Sequence, residues 1–232
     1  MTEPQPKDPT SRSALNRILQ LASANLPVGS YAYSQGLEWA VEANWVHDVE
    51  SLSQWVLAQL DNSVATTDLP TLLRLYDAAG QRDFARLQEL SRLLIASRET
   101  LEFVKDDCGR GKALARLMSG LEISAATQWL DQADTPFATL FAIACIEWQV
   151  SKHDCLVAYL WIWLEGQILA GVKLIPLGQL QGQKLLIALS ERSAGAINKA
   201  MQISEECIGG SLPIVSLASA LHETQYTRLF KS

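Results

Sequence analysis

The chain is poor in the residues from which catalytic and metal centres are usually assembled. Its 232 positions hold three histidines and four cysteines. The cysteines, Cys108, Cys145, Cys155 and Cys207, form no C-x-x-C pair. No secretory signal precedes them, so they read as reduced, buried thiols. Metal ligands must converge, typically at i and i+4 on one helix face. His153, Asp154 and Cys155 are consecutive, and on a helix they fan about 100° apart, which is unsuited to gripping one ion. His47 reads as a polar group beside a helix cap at Asp48. These absences predict no resident metal, no cofactor and no catalytic centre.

A basic surplus is missing too. Lys and Arg number 19 against 25 Asp and Glu, a formal charge of −6, and no run of five basic residues occurs. That balance argues against nucleic acid or anionic lipid as a partner, because little is available to neutralise phosphates. The N-terminus, Met1 to Thr10, lacks the apolar core of a signal peptide and carries three prolines. Residues 1–13 are expected to form a disordered tail. One apolar run, Cys155 to Leu174, approaches the length of a membrane span. It contains Glu165, Gln167 and Lys173, costly groups in lipid, and therefore reads as a buried core helix of a cytoplasmic protein.

What the chain does have is apolar spacing of the helical kind throughout, with no sustained β alternation. Leu15, Ile18, Leu19 and Leu21 begin a short helix, and Pro27 and Gly29 break the chain after it. Helices follow over about 34–44, from Ser51-x-x-Gln54 through Leu60, and from Thr67 or Asp68 to Gly80. Asp83 opens a long one reaching Val104, with Gly109 and Gly111 read as an interruption or a close backbone approach. Thr135-Pro136 starts another, read as an N-cap followed by proline at the first position. An almost wholly apolar helix runs from Lys152 to before Pro176. Further helices span about 178–190, 192–207 and from Pro213. The 48% apolar content and the lack of a linker or repeat predict an all-α, single-domain bundle of about ten helices over residues 14–223.

Three catalytic patterns fail on inspection. Ala32-Tyr33-Ser34-Gln35-Gly36 approaches a nucleophile elbow, but that motif needs a strand to deliver the serine, and none is predicted. Gly109-Arg110-Gly111-Lys112-Ala113 lacks the leading glycine and the magnesium-binding hydroxyl of a phosphate loop. Most carboxylates, as at Arg98-Glu99, read as solvated helical faces. Glu165 stands apart in the most apolar helix, and either pairs with a buried donor or lines a polar cavity. An all-α enzyme using Glu165 or Ser34, or a small-molecule-binding helical protein with a buried polar pocket, is the alternative to an interaction protein.

Three segments decide between these. Leu21-Ala-Ser-Ala-Asn-Leu-Pro-Val-Gly-Ser-Tyr-Ala-Tyr-Ser-Gln-Gly-Leu-Glu38, Gly171-Val-Lys-Leu-Ile-Pro-Leu-Gly-Gln179 with Gly182-Gln183, and His222-Glu-Thr-Gln-Tyr-Thr-Arg-Leu-Phe-Lys-Ser232 together resemble the UreF family of urease accessory proteins. Asp68-Leu69-Pro70 and Arg98-Glu99-Thr100 also resemble family patterns. Lys173 and Lys231 stand where arginine is common in relatives, keeping charge but losing a planar fork.

The resemblance implies an all-α homodimer that binds UreD (called UreH in some organisms). That complex recruits the GTPase UreG, which supplies nickel to apo-urease. By the same resemblance Glu38 and Lys173 are candidates for the GTPase-facing surface. The tail over 224–232, with Tyr226, Arg228, Leu229, Phe230 and Lys231, is the candidate UreD-facing segment. Glu38 and Lys173 are expected at the surface. The tail is expected to be mobile in the free protein, with Tyr226, Leu229 and Phe230 forming one stripe when helical.

Overall fold

The computed structural model describes residues 11–231, so the expected tail over 1–10 and the terminal Ser232 lie outside the described residues. Arg12 and Ser13, expected in that tail, already belong to the first helix.

Among the described residues the chain is helical and contains no strand. The helices are α1 (Arg12–Leu21), α2 (Leu37–Glu42), α3 (Val49–Gln59), α4 (Leu69–Gln81), α5 (Phe84–Ala96) and α6 (Leu101–Gly120). After a single turn, α7 (Ser124–Thr127), come α8 (Phe137–Glu147), α9 (Lys152–Leu174), α10 (Gln179–Ser190), α11 (Ser193–Gln202) and α12 (Pro213–His222). The all-α expectation holds. α8 is buried along most of its length and, with α9, forms the centre around which α2, α4, α6 and α10 pack. α9 is long and apolar enough to cross a bilayer by length and composition, yet 56% of its apolar window is buried against the other helices.

Several boundaries differ from the sequence reading, each for a local reason. The cap of α3 is Asp48, not Ser51: its carboxylate accepts from Ser51 N at 2.8 Å, and the Ser51 hydroxyl accepts from Asp48 N at 3.1 Å. No break separates α3 from α4. A π-helical stretch, Leu60–Asp68, joins them. Pro70 has no N–H to offer the carbonyl of Thr66, and Gly209 N donates to that oxygen instead, at 3.1 Å. Asp68 therefore caps nothing.

The long helix expected from Asp83 is two. Thr100 caps α6, accepting from Phe103 N at 3.2 Å. α6 then runs uninterrupted through Gly109 and Gly111. Gly111 is a close approach: a Cβ there would stand 1.8 Å from the carbonyl oxygen of Thr135. α8 begins at Phe137, one position later than expected, and Asp107 rather than Thr135 serves its first amide, with Phe137 N donating to Asp107 Oδ1 at 2.8 Å.

Candidate functional site

The first and third of the sequence segments meet through a buried glutamate. Gly36, at φ +82°, turns the chain into α2, and its lack of a side chain lets α12 approach, since a Cβ would lie 3.0 Å from Ser219 N. Ser34 is fully buried and its hydroxyl accepts from Glu38 N at 3.3 Å. It is a fully buried helix-start contact with no histidine hydrogen-bonded to it among the described residues, an arrangement that does not support the nucleophile reading. Glu38 then points inward. It is 6% exposed, against the expectation that it lies at the surface.

The Glu38 carboxylate accepts from two backbone amides and faces a ring nitrogen of His222. Leu229 N donates to Oε1 at 2.6 Å, Phe230 N to Oε2 at 2.9 Å, and His222 Nε2 lies 3.0 Å from Oε2. On its other side His222 Nδ1 lies 3.0 Å from Glu102 Oε2, and Glu102 also accepts from Arg228 at 3.4 Å. His222 is 0% exposed. Two carboxylates, one imidazole and one guanidinium thus form a connected set in which both ring nitrogens of His222 are engaged. Among the described residues no three His, Cys, Asp or Glu side chains form a metal cluster.

This clamp corrects the reading of the tail. Residues 224–231 are not helical, and they are laid back on the domain: Lys231 N donates to Ala32 O at 2.7 Å and Phe230 is 6% exposed. Tyr226 and Leu229 point outward, at 103% and 65% exposure, so the three apolar residues share no stripe. Arg228 and Lys231 are exposed. Lys173, from the second segment, is exposed as expected, with its ammonium 5.6 Å from the centre of the Phe230 ring. All three segments therefore converge on one surface, with Tyr31, Lys173, Tyr226 and Leu229 outward and Glu38 beneath. Glu165 lines a cavity of about 50 Å³ under this surface, walled mainly by apolar side chains; burial raises its pKa.

A second polar centre lies deeper. Arg98 is no solvated helical residue. Its Nη2 donates to Asp68 Oδ1 at 2.6 Å and to Asp107 Oδ2 at 2.8 Å, and its Nε to Asp107 Oδ2 at 3.0 Å. Arg110 pairs with Asp106 one helical turn away and stacks over Phe137 at 5.0 Å. Burial pushes the Asp107 carboxyl up, but Arg98 and Arg110 more than offset this and hold it below the usual aspartate value. Burial and the carboxylates of Asp68 and Asp107 push the Tyr159 hydroxyl up. A cavity of about 100 Å³ opens beside these groups.

Sequence reasoning missed most of these residues. One signal was available: Glu102, Asp106, Asp107 and Arg110 recur at i, i+4, i+5 and i+8 along α6, a polar stripe on one helical face. That face turns inward. Asp68 enters the sequence reading as a helix-cap candidate and Arg98 as part of a solvated face, and otherwise both appear only in the family-like patterns that contain them.

Comparison with known proteins agrees with the three segments. Residues 46–190 match the sequence model of the UreF family. The urease accessory protein UreF of Marinomonas sp. (strain MWYL1) is 46% identical over 223 residues, covering 96% of both chains. Its counterpart in Pseudomonas putida (strain W619) is 43% identical over 219 residues, covering 94% of this chain and 98% of its own. That of Alkalilimnicola ehrlichii is 42% identical over 219 residues, with 94% and 96% covered. With near-complete coverage on both sides and a family match across the helical centre, the chain belongs to the UreF family.

Proposed function

We propose that this chain is a urease accessory protein that promotes assembly of the nickel centre of urease without catalysing a reaction itself. In this reading it acts in the cytoplasm as a homodimer, joining UreD (UreH) to the GTPase UreG on apo-urease and regulating GTP-dependent nickel delivery. Nickel is cargo of the complex and needs no resident site here.

One observation carries the reading beyond family membership. The three segments that resemble the family come together around Glu38, Phe230 and Lys173, with Glu38 and Phe230 192 positions apart. Exposed Tyr226, Leu229 and Tyr31 beside cationic Lys173 and Arg228 supply aromatic and charged contacts of the kind enriched at protein interfaces. Lys173 remains the candidate toward the GTPase, and Tyr226, Arg228, Leu229 and Lys231 toward UreD. Glu38 and Phe230 hold that surface in shape from below.

Co-purification tests it directly. Tagged protein should capture UreD, and UreG should join only when UreD is present. Adding the complex to apo-urease with nickel and GTP should raise urease activity. If the chain captured neither partner and apo-urease activated equally without it, the reading would be wrong.

A further inference from the structure

The cavity of about 50 Å³ beneath the outward surface holds a carboxylate that the chain leaves unanswered. Its wall draws on all three family-like segments: Leu26 and Val28 from the first, Lys173 from the second and Phe230 from the third, with Ile162 and Leu169 of α9 closing another side. Apart from Lys173 these side chains are apolar. Glu165, also on α9, is the one acidic residue lining the space. No hydrogen bond or neighbouring charge acts on its carboxyl among the described residues, and burial alone raises its pKa.

Lys173 does not supply the missing charge. It follows Glu165 by eight positions, about 12 Å along the helix, and its ammonium is turned to the Phe230 ring at 5.6 Å. A half-buried carboxylate among apolar groups is disfavoured until a donor or a cation reaches it. The cavity therefore selects for two properties at once, apolar length against its wall and positive charge at Glu165. Water answers the carboxylate but gains nothing from the wall. A divalent metal would meet a single carboxylate, and no cluster of three metal-ligating side chains forms among the described residues.

We propose that this cavity receives one lysine or arginine side chain of the protein partner that docks on the surface above it, UreD in the reading given above. The inference rests on that reading and names an anchoring contact for it. Lysine and arginine carry an apolar stem and a charged head on one side chain. The stem lies against Leu26, Val28 and Leu169, and the head makes a charge-assisted hydrogen bond to Glu165. Size agrees: a water-sized group needs about 10–15 Å³ of such space, so about 50 Å³ takes the end of one side chain and excludes a helix or a nucleotide. Tyr31, which also lines the cavity and is 68% exposed, offers the partner an aromatic contact around the anchor.

The test measures the affinity of the full chain for UreD beside its unfolding midpoint. Glu165→Gln keeps the size of the side chain and removes its charge. It should bind UreD at least about tenfold more weakly. Its midpoint at pH 7 should equal or exceed that of the parent, because burial disfavours the carboxylate it replaces. Glu165→Lys should lose binding, and changing one lysine or arginine of UreD to glutamate should restore it. Should Glu165→Lys fail to fold, the glutamine variant still decides. Equal UreD affinity of parent and Glu165→Gln, or a folded Glu165→Lys that no such change in UreD rescues, would overturn the proposal. So would a clearly lowered midpoint of Glu165→Gln, which would place the carboxylate in a contact within this chain. A change in self-association with UreD affinity unaltered would make a second copy the occupant and overturn it too. A parent chain that binds no UreD would instead overturn the accessory reading on which this contact depends, so the two failures are told apart.

Discussion

Glu38 and Phe230 stand 192 positions apart, yet the backbone amide of Phe230 donates to the Glu38 carboxylate at 2.9 Å. The same carboxylate receives Leu229 N and faces His222, so one buried side chain ties the start of α2 to the end of α12 and to the C-terminal segment. The carboxylate sits where two backbone amides would otherwise lack an acceptor.

Replacing Glu38 should therefore cost stability. Removing one partner of a buried charged set typically costs about 3–5 kcal/mol, and Glu38→Ala is expected near the lower end, since water can reach the amides once the C-terminal segment lifts. Lys173→Ala removes an exposed cation–π contact worth about 0.5–1 kcal/mol. Denaturant unfolding of both variants checks this. Equal midpoints would show that the clamp contributes little.

How far these features could be read from sequence depends on what set them. Helix positions followed from apolar spacing, and caps at Asp83 and the start at Pro213 fell where local chemistry put them. Boundaries failed where a distant group took over. Asp107, thirty positions away, supplies the acceptor for α8, and Gly209 serves the carbonyl that Pro70 leaves free. The same limit governs the site. The spacing of Glu102, Asp106 and Asp107 fits one face of α6, but the sequence reading ends its helix at Val104, and nothing local shows that this face turns inward toward Arg98 and His222. Turn residues suggested a surface position for Glu38, whereas the long-range demand of the C-terminal amides drew it inside.

The Arg98 cluster should leave a signature in acid. Asp107 is held below its unfolded value of about 3.9. A carboxyl lowered on folding contributes stability that is fully present above the unfolded value and lost as pH falls through the folded one. Asp107→Asn should thus be less stable than the parent at pH 7. The difference between the two should shrink only as pH drops below about 4. Denaturant midpoints collected from pH 7 to pH 3 measure it, and a gap that stayed constant to pH 3 would contradict the assignment.

Two glycines in helices make a matched pair. At Gly111 an added methyl meets the Thr135 carbonyl at 1.8 Å, a backbone atom that cannot swing aside, whereas at Gly166 it meets nothing within 4 Å. Gly111→Ala should force α6 and the 135–136 loop apart and cost about 1–3 kcal/mol or more. Gly166→Ala, inside α9, should gain up to about 1 kcal/mol from helix propensity. Thermal midpoints of the two variants should move in opposite directions.

The C-terminal segment separates a residue that shapes the surface from one that presents it. Phe230 is 6% exposed and Leu229 65%, although they are neighbours and both donate backbone amides to Glu38. A substitution that spares the backbone leaves those bonds, so the side chains can be tested alone. Phe230→Ala empties a packed position beside Lys173 and should lower stability by roughly 2–4 kcal/mol. It should weaken capture of UreD only in proportion to the population unfolded or displaced. Leu229→Asp removes little from the fold, within about 0.5 kcal/mol for an exposed position, but places a charge where an apolar contact is proposed. Its unfolding midpoint should match the parent while UreD capture falls at least tenfold, the equivalent of about 1.4 kcal/mol. Tyr226→Ala, at a fully exposed position, should behave likewise. If Leu229→Asp and Tyr226→Ala both bound UreD as the parent does, the outward face of this segment would not be the UreD-binding surface, whatever Phe230→Ala did to stability.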